Sequence, residues 1–113
     1  MNDYFVTGRL GVDPEPMSNG VSLLIYVRRH YKNKETGEYD TDKIRLKAFS
    51  KAGEYCKNFL KKGCLVEVKA TIRNNNWIEP ETNNVRYKDD YIVEHVRVLQ
   101  RAQTHHEVLE HSY

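Results

Sequence analysis

The sequence predicts an all-β fold, a five-stranded antiparallel barrel with one α-helix between the third and fourth strands. Five segments carry the β-branched, aromatic or alternating apolar pattern of strands, and a single short segment has helical spacing. Two long polar segments rich in turn residues are predicted to project as hairpin loops. At 113 residues the chain has the length of one domain with a single modest core.

The first two strands precede the first long loop. Residues 3–10 are β-branched and aromatic up to Gly8, where the glycine indicates a bulge or a close approach of another backbone. Ser18-Asn19-Gly20 is a turn signal, and residues 21–29 are dense enough in apolar side chains to form a largely buried strand. Its predicted core face consists of Val21, Leu23, Ile25 and Val27. The polar residues 31–39 form the first predicted loop.

The third strand, residues 42–49, has the most regular alternation in the chain. Ile44, Leu46 and Ala48 share one face and are predicted to enter the core. The other face carries three cations and a terminal ring: Lys43, Arg45, Lys47 and Phe49. Cations attract phosphates and a ring offers a stacking surface, so this face favours single-stranded nucleic acid. The alternative is a solvated strand whose lysines only keep an exposed face soluble.

The helix is predicted to begin after Ser50, as its N-cap, and to end at Lys61-Lys62-Gly63. Residues 64–74 alternate again as the fourth strand, with Lys69 and Arg73 on the outward face. We expect this strand to be a neighbour of the third strand, so that both sets of cations line one groove.

The second long loop, residues 74–84, contains Trp77, the only tryptophan, among asparagines. Such a position favours base stacking over a place in the core. Residues 85–99 form the fifth strand, which completes a predicted domain of residues 1–99. Residues 100–113 have little periodicity and are predicted to form a short flexible C-terminal tail. The element order is that of an oligonucleotide-binding barrel.

Composition excludes several classes of function. The net charge of +2 and the pI near 8.5 are too small for a dedicated duplex binder. No apolar run approaches the length of a membrane span, and the start of the chain lacks the pattern of a secretory signal, which predicts a cytoplasmic protein without a membrane partner. Cys56 and Cys64 match no redox or zinc spacing and are interpreted as core residues. We expect no cofactor, no metal and no catalysis.

The spaced motifs of residues 2–99 resemble the bacterial and phage single-stranded DNA-binding protein family. The resemblance depends on Gly8-Arg9-Leu10 with Asp13-Pro14-Glu15, on Phe49-Ser50-Lys51-Ala52 with Leu60-Lys61-Lys62-Gly63 and Val66-Glu67-Val68, and on Ile72-Arg73 with Trp77 and Arg86-Tyr87. It implies binding and protection of single-stranded DNA, in replication, recombination or repair, without sequence preference. It also implies a homo-oligomer, a tetramer or alternatively a dimer, whose contacts involve the first strand. Whether RNA competes is left open.

The resemblance implies aromatic stacking on Tyr31, Phe49 and Trp77, with phosphates on the surrounding cations. Two features depart from the family. Lys43 stands where the family usually has a ring, which shifts that contact towards phosphate. Residues 107–113 do not resemble the acidic tip through which family members recruit replication proteins, so no recruitment by that route is expected.

Three alternatives remain open. A primosomal replication-restart protein has the same barrel, is usually a dimer and contacts a helicase. The chain could also be an interaction module of a replication complex that touches DNA weakly. A metal-dependent nuclease would use the carboxylates of Glu79, Glu81, Asp89 and Asp90, but no histidine lies at a suitable spacing. His105, His106 and His111 form no metal-ligand pattern.

Overall fold

The computed structural model describes residues 1–102 and 111–112. Five long strands and one helix make up most of this part of the chain, and four short strands complete it. In chain order they are β1 (Tyr4–Leu10), β2 (Glu15–Met17), β3 (Gly20–Lys32), β4 (Tyr39–Phe49), α1 (Ser50–Phe59), β5 (Leu65–Asn74), β6 (Trp77–Ile78), β7 (Val85–Arg86), β8 (Asp89–Gln100) and β9 (His111–Ser112).

The five long strands close into a barrel. Hydrogen-bonded neighbours follow the order β1, β5, β8, β4, β3, and β3 returns to β1 through Arg9 opposite Tyr26 and Leu10 opposite Ile25. The pairings are antiparallel except for a short parallel contact between β4 and β8, where Lys47 lies opposite Ile92. The predicted five-stranded barrel with a helix between the third and fourth long strands is confirmed, and this parallel contact is its exception to antiparallel pairing.

The core lies inside the barrel and beneath α1. Alternate residues of β3, β4 and β5 are buried as the sequence predicts, and Leu23, Ile25 and Leu46 are fully inaccessible to solvent. Cys56 and Cys64 are both buried and unpaired with each other, in agreement with their interpretation as core residues. Burial raises the pKa of the Cys56 thiol to about 12, so the group stays protonated at neutral pH.

Gly8 marks the place where β1 approaches β3. A Cβ atom at this position would overlap the carbonyl oxygen of Tyr26 and lie 2.7 Å from Cγ2 of Ile25. Since a backbone carbonyl cannot move aside at small cost, only glycine fits here. The close backbone approach predicted for this glycine is therefore confirmed.

The structure corrects several predicted boundaries. β3 extends to Lys32, so the first loop spans only residues 33–38. The predicted fifth strand is interrupted at residues 87–88, which separate β7 from β8. Gln100 belongs to β8, and His111–Ser112 pair with residues 97–98. The rest of the predicted tail falls almost entirely outside the described residues.

Ser50 does not cap the helix, contrary to the prediction. It is the first residue of α1, Phe49 is the N-cap residue, and no side chain bonds to the exposed amides. Ser50 has a φ of 53°, in the left-handed region, because the chain must turn sharply from the end of β4 into the helix. With ten residues, α1 is short, and no helix in the described ranges is long and apolar enough to cross a membrane.

Replacing Ser50 with glycine is expected to stabilise the protein by about 1 kcal/mol, because glycine adopts a positive φ without the steric cost of a Cβ atom. Urea unfolding followed by circular dichroism measures the change. Ser50→Ala is the matched control, since alanine keeps the Cβ and should bring no gain. An equal gain for alanine would show that the serine hydroxyl, rather than the backbone, is the source of the cost.

Candidate nucleic-acid interface

The outer face of β4 carries the side chains that the sequence assigned to it. Lys43 and Arg45 are exposed, while Lys47 and Phe49 are half-buried on the same side of the strand. The Phe49 ring lies against Gly20 of β3, where a Cβ atom would come within 2.8 Å of its Cδ1. The ring therefore packs against Gly20, and part of its surface stays accessible to solvent.

Each of the three β4 cations already has a partner within the protein. The Lys43 ammonium lies 5.5 Å from the centroid of the Tyr26 ring. Arg45 donates to Ser22 Oγ at 2.9 Å and to Glu15 Oε1 at 3.1 Å. Lys47 Nζ donates to Asp90 Oδ2 at 3.0 Å. The face is therefore less positive than the sequence alone indicates, because two of its cations are paired with carboxylates.

The Asp90 carboxylate is the least exposed charge in this group, with only 11% of its side chain accessible. Besides Lys47, it accepts a hydrogen bond from Asn75 Nδ2 at 2.9 Å, and Lys88 Nζ lies 4.0 Å from its other oxygen. Burial alone would raise the pKa of this carboxyl group. The hydrogen bonds from Lys47 and Asn75 outweigh that effect and hold the pKa below its ordinary value, so the group is charged at neutral pH.

Trp77 stands on a small hairpin made by β6 and β7. Its side chain is 48% exposed, and it lies opposite Arg86, so that ring and guanidinium share one face of the hairpin. Arg86 Nε donates to Glu79 Oε2 at 2.5 Å. A hydrogen bond of 2.7 Å from the backbone N–H of Asn75 to the backbone carbonyl of Lys88 closes the base of the hairpin. An exposed ring beside an oriented cation suits a base and its phosphate.

The second set of predicted cations lies on β5, but β5 is not a direct neighbour of β4 as expected. β8 lies between them. Lys69 sits between Asp3 at 3.9 Å and Glu94 at 3.8 Å, and its register partner on β1 is the exposed Phe5. Arg73 is exposed at the other end of β5, opposite Asp90. Arg73 is thus nearer to the β4 cations than Lys69 is, because Asp90 contacts Lys47 directly.

The first hairpin holds Tyr31 and Tyr39. Tyr31, 67% exposed, lies one residue before the end of β3. The ring of Tyr39 is covered by Arg28, whose guanidinium carbon is 3.9 Å from the ring centroid. Tyr39 is 37% exposed, so Tyr31 presents the more open ring of the two on this hairpin.

Sequence reasoning gave no binding role to the outward aromatic side chains Tyr26 and Tyr87, nor to the exposed Phe5. Tyr26, on β3, lies opposite Lys43 of β4, and its ring packs against Gly11. Tyr87, between β7 and β8, is 78% exposed. Strand parity could have found Tyr26, since Val21, Leu23 and Ile25 mark the inner face and leave residue 26 outside. Strand parity does not mark Tyr87, because it lies between two strands, although the sequence places it in the Arg86-Tyr87 motif.

The carboxylates weighed for a nuclease are not arranged as a metal site. Glu79 bonds to Arg86, Asp90 to Lys47 and Asn75, and Asp89 accepts from Asn74 at 3.1 Å. Within residues 1–102, no group of three or more His, Cys, Asp or Glu side chains is placed to hold a metal ion. His105 and His106 lie outside the described residues.

Comparison with known sequences finds relatives of this barrel. Residues 1–99 match the model of the single-strand binding protein family. Single-stranded DNA-binding protein 1 of Xylella fastidiosa is 30% identical over 115 residues, an alignment that covers 96% of this chain and 84% of the relative. The single-stranded DNA-binding protein of Caldanaerobacter subterraneus is 30% identical over 105 residues, covering 88% and 69%.

Solved structures share the fold at low sequence identity. A Plasmodium falciparum single-stranded DNA-binding protein in complex with single-stranded DNA has a TM-score of 0.66 at 17% identity, covering 88% of this chain and 95% of the other. A mitochondrial single-stranded DNA-binding protein of S. cerevisiae has a TM-score of 0.67 at 14% identity, covering 90% and 98%. These similarities establish the oligonucleotide-binding barrel.

Proposed function

The chain belongs to the single-strand binding protein family, and from that premise we propose that it binds single-stranded DNA across the outer face of β4 and the Trp77 hairpin. Bases stack on Phe49, Trp77 and Tyr31, and phosphates contact Lys43, Arg45, Lys47, Lys69 and Arg73. Stacking and phosphate contact do not depend on base identity, so binding has no sequence preference. The binding domain in this proposal is residues 1–99.

One observation carries the proposal. The Phe49 ring and the cations of β4 lie on one outer face of the sheet. The Trp77 hairpin is attached to this face by hydrogen bonds from Asn75 and Lys47 to Asp90. These hydrogen bonds form one cluster, which supports a single surface made of Phe49, the Trp77 hairpin and the β4 cations. Such a combination of stacking platforms and cations is typical of surfaces that hold single strands.

The ion pairs within this surface set the expected salt dependence. Each phosphate neutralised on a single strand lowers the slope of log affinity against log salt by about 0.7, so five cations would give about −3.5. Arg45, Lys47 and Lys69 are already paired with carboxylates and release fewer counterions. If only Lys43 and Arg73 release them fully, the slope is about −1.4. We expect a value between these limits.

Titration with oligo(dT) at several salt concentrations tests the proposal. Trp77, the single tryptophan, reports binding directly through quenching of its fluorescence when a base stacks on it. We expect strong quenching and a linear salt slope within the limits above. A duplex of the same length is the control and should bind much more weakly, because its bases are already stacked. Absence of both quenching and a salt slope would favour the interaction-module alternative.

We also propose that the protein forms a homo-oligomer, a tetramer or alternatively a dimer. β1 pairs with β3 only at Arg9 and Leu10, and the two strands diverge towards Tyr4 around an open cleft of about 810 Å³. Phe5, 67% exposed, lines that cleft. An exposed strand edge beside an apolar ring supports pairing with a second copy. Light scattering with and without DNA separates a tetramer from a dimer.

The biological role follows from the ligand. We propose that the protein protects single-stranded DNA during replication, recombination or repair and that it catalyses no reaction. The cytoplasm as its compartment stays a prediction.

A further inference from the structure

Asp90 places a carboxylate on a surface that binds phosphate, where a negative charge repels the ligand. It lies on the outer face of β8, opposite Arg73, and is only 11% exposed. A surface selected for positive charge alone would carry a neutral residue there. The position therefore indicates a role other than direct contact with DNA.

The partners of Asp90 come from two sides of the surface. Lys47 belongs to β4, and its Nζ is 3.0 Å from Asp90 Oδ2. Asn75 is the first residue of the hairpin segment that carries Trp77, and its Nδ2 is 2.9 Å from the same oxygen. Lys88 ends that segment and lies 4.0 Å from Oδ1. One carboxylate thus contacts both ends of the hairpin segment and a cation of the central strand.

The hairpin has few other attachments to the sheet near this point. Among the described residues, its two strands pair only with each other, through Trp77 opposite Arg86 and Ile78 opposite Val85. The base is closed by the Asn75–Lys88 backbone bond. The direction in which the hairpin leaves the sheet is therefore set largely by the contacts at Asn75 and Lys88, and the Asp90 carboxylate is common to both.

We propose that Asp90 is a positioning residue of the interface, one that holds the Trp77 hairpin against β4 so that its ring is placed before DNA arrives. The role rests on the proposed function. Holding the ring in place removes the entropy cost of ordering the hairpin on binding, which raises affinity without a contact to DNA. Hydrogen bonds to a charged acceptor are stronger than neutral ones, and the Asp90 carboxylate that accepts them is only 11% exposed.

Asp90→Asn and Asp89→Asn form a matched pair that separates positioning from charge. Both substitutions remove one negative charge from the start of β8, but Asp89 is exposed and bonds only to Asn74 among the contacts described. Simple electrostatics predicts that both variants bind oligo(dT) at least as tightly as the wild type. Positioning predicts that Asp89→Asn does so, while Asp90→Asn binds about fivefold to tenfold more weakly.

The anisotropy of Trp77 fluorescence in the free protein gives a second readout. We expect it to fall in Asp90→Asn, because the hairpin moves more freely, and to stay at the wild-type value in Asp89→Asn. If either the affinity or the anisotropy of Asp90→Asn matches that of Asp89→Asn, the positioning role is overturned. If wild-type protein fails to bind oligo(dT), the proposed function itself is overturned.

Asn75→Ala removes the hairpin's side of the same contact at an exposed residue. It replaces Asp90→Asn in these measurements if Asp90→Asn does not fold. It removes one donor to the carboxylate and leaves the Lys47 pair intact. We expect lower Trp77 anisotropy and an affinity loss of about twofold to fivefold. Wild-type values for both quantities would overturn the proposal.

Discussion

Replacing Trp77 with alanine is expected to weaken oligo(dT) binding by about 1 to 3 kcal/mol, a factor of roughly 5 to 150. The ring is half exposed on the hairpin and packs into no core, so its removal should leave the fold intact. The loss comes from the stacking surface that the ring offers to one base. Because the variant has no tryptophan, the anisotropy of a fluorescein-labelled oligonucleotide measures its affinity.

Ile78→Ala and Trp77→Phe are the controls for this prediction. Ile78 is the next residue, is 61% exposed, and lies opposite Val85 on the other face of the hairpin. Truncating it removes apolar surface without removing a π face, so little change in affinity is expected. Phenylalanine at position 77 keeps a ring and should recover much of the lost affinity. Equal losses for Trp77→Ala and Ile78→Ala would point to general disruption of the hairpin rather than stacking.

Replacing Leu46 with alanine should reduce the free energy of unfolding by about 2 to 5 kcal/mol. Leu46 is inaccessible to solvent in the middle of β4 and lies opposite Leu23, which is equally buried. Its truncation loses apolar burial and leaves a cavity that the closed barrel cannot easily fill. Urea unfolding monitored by circular dichroism measures the loss.

Lys43→Ala on the same strand provides the comparison. Lys43 is exposed on the opposite face of β4, so its truncation should change stability by no more than about 0.5 kcal/mol. In oligo(dT) binding without denaturant the order is reversed, because Lys43→Ala weakens affinity and Leu46→Ala does not. Similar stability losses for the two variants would contradict the assignment of inner and outer faces.

Strand parity is the reason that so much of the fold could be predicted. A period of two places alternate residues on opposite faces wherever one face is buried. β3, β4 and β5 follow it, except that Ser22 of β3 is also buried, where it accepts a hydrogen bond from Arg45. The same parity placed Lys43, Arg45, Lys47 and Phe49 outside. The close approach at Gly8 was also predictable, because a glycine inside a strand commonly marks a bulge or a site where another backbone comes near.

The errors arose where local pattern does not control the backbone. Serine before a helix usually caps it, but the turn out of β4 forces Ser50 into a positive φ, and its side chain cannot serve as a cap. The fifth strand was predicted as continuous because strand formers stand on both sides of Lys88-Asp89-Asp90 within residues 85–99. In the structure β7 pairs with β6 within the Trp77 hairpin, whereas β8 pairs with β5 and β4. Residue propensity does not predict this change of partner.

Period and residue type were enough to predict the long strands, the core faces and the cations and rings available to a single strand. How these parts are combined depends on the tertiary structure. It placed β8 between β4 and β5, paired Arg45, Lys47 and Lys69 with carboxylates, and brought Asp90 under the base of the Trp77 hairpin. Lys47 and Asp90 are far apart in sequence, and strand order, which local pattern does not encode, brings them within 3.0 Å.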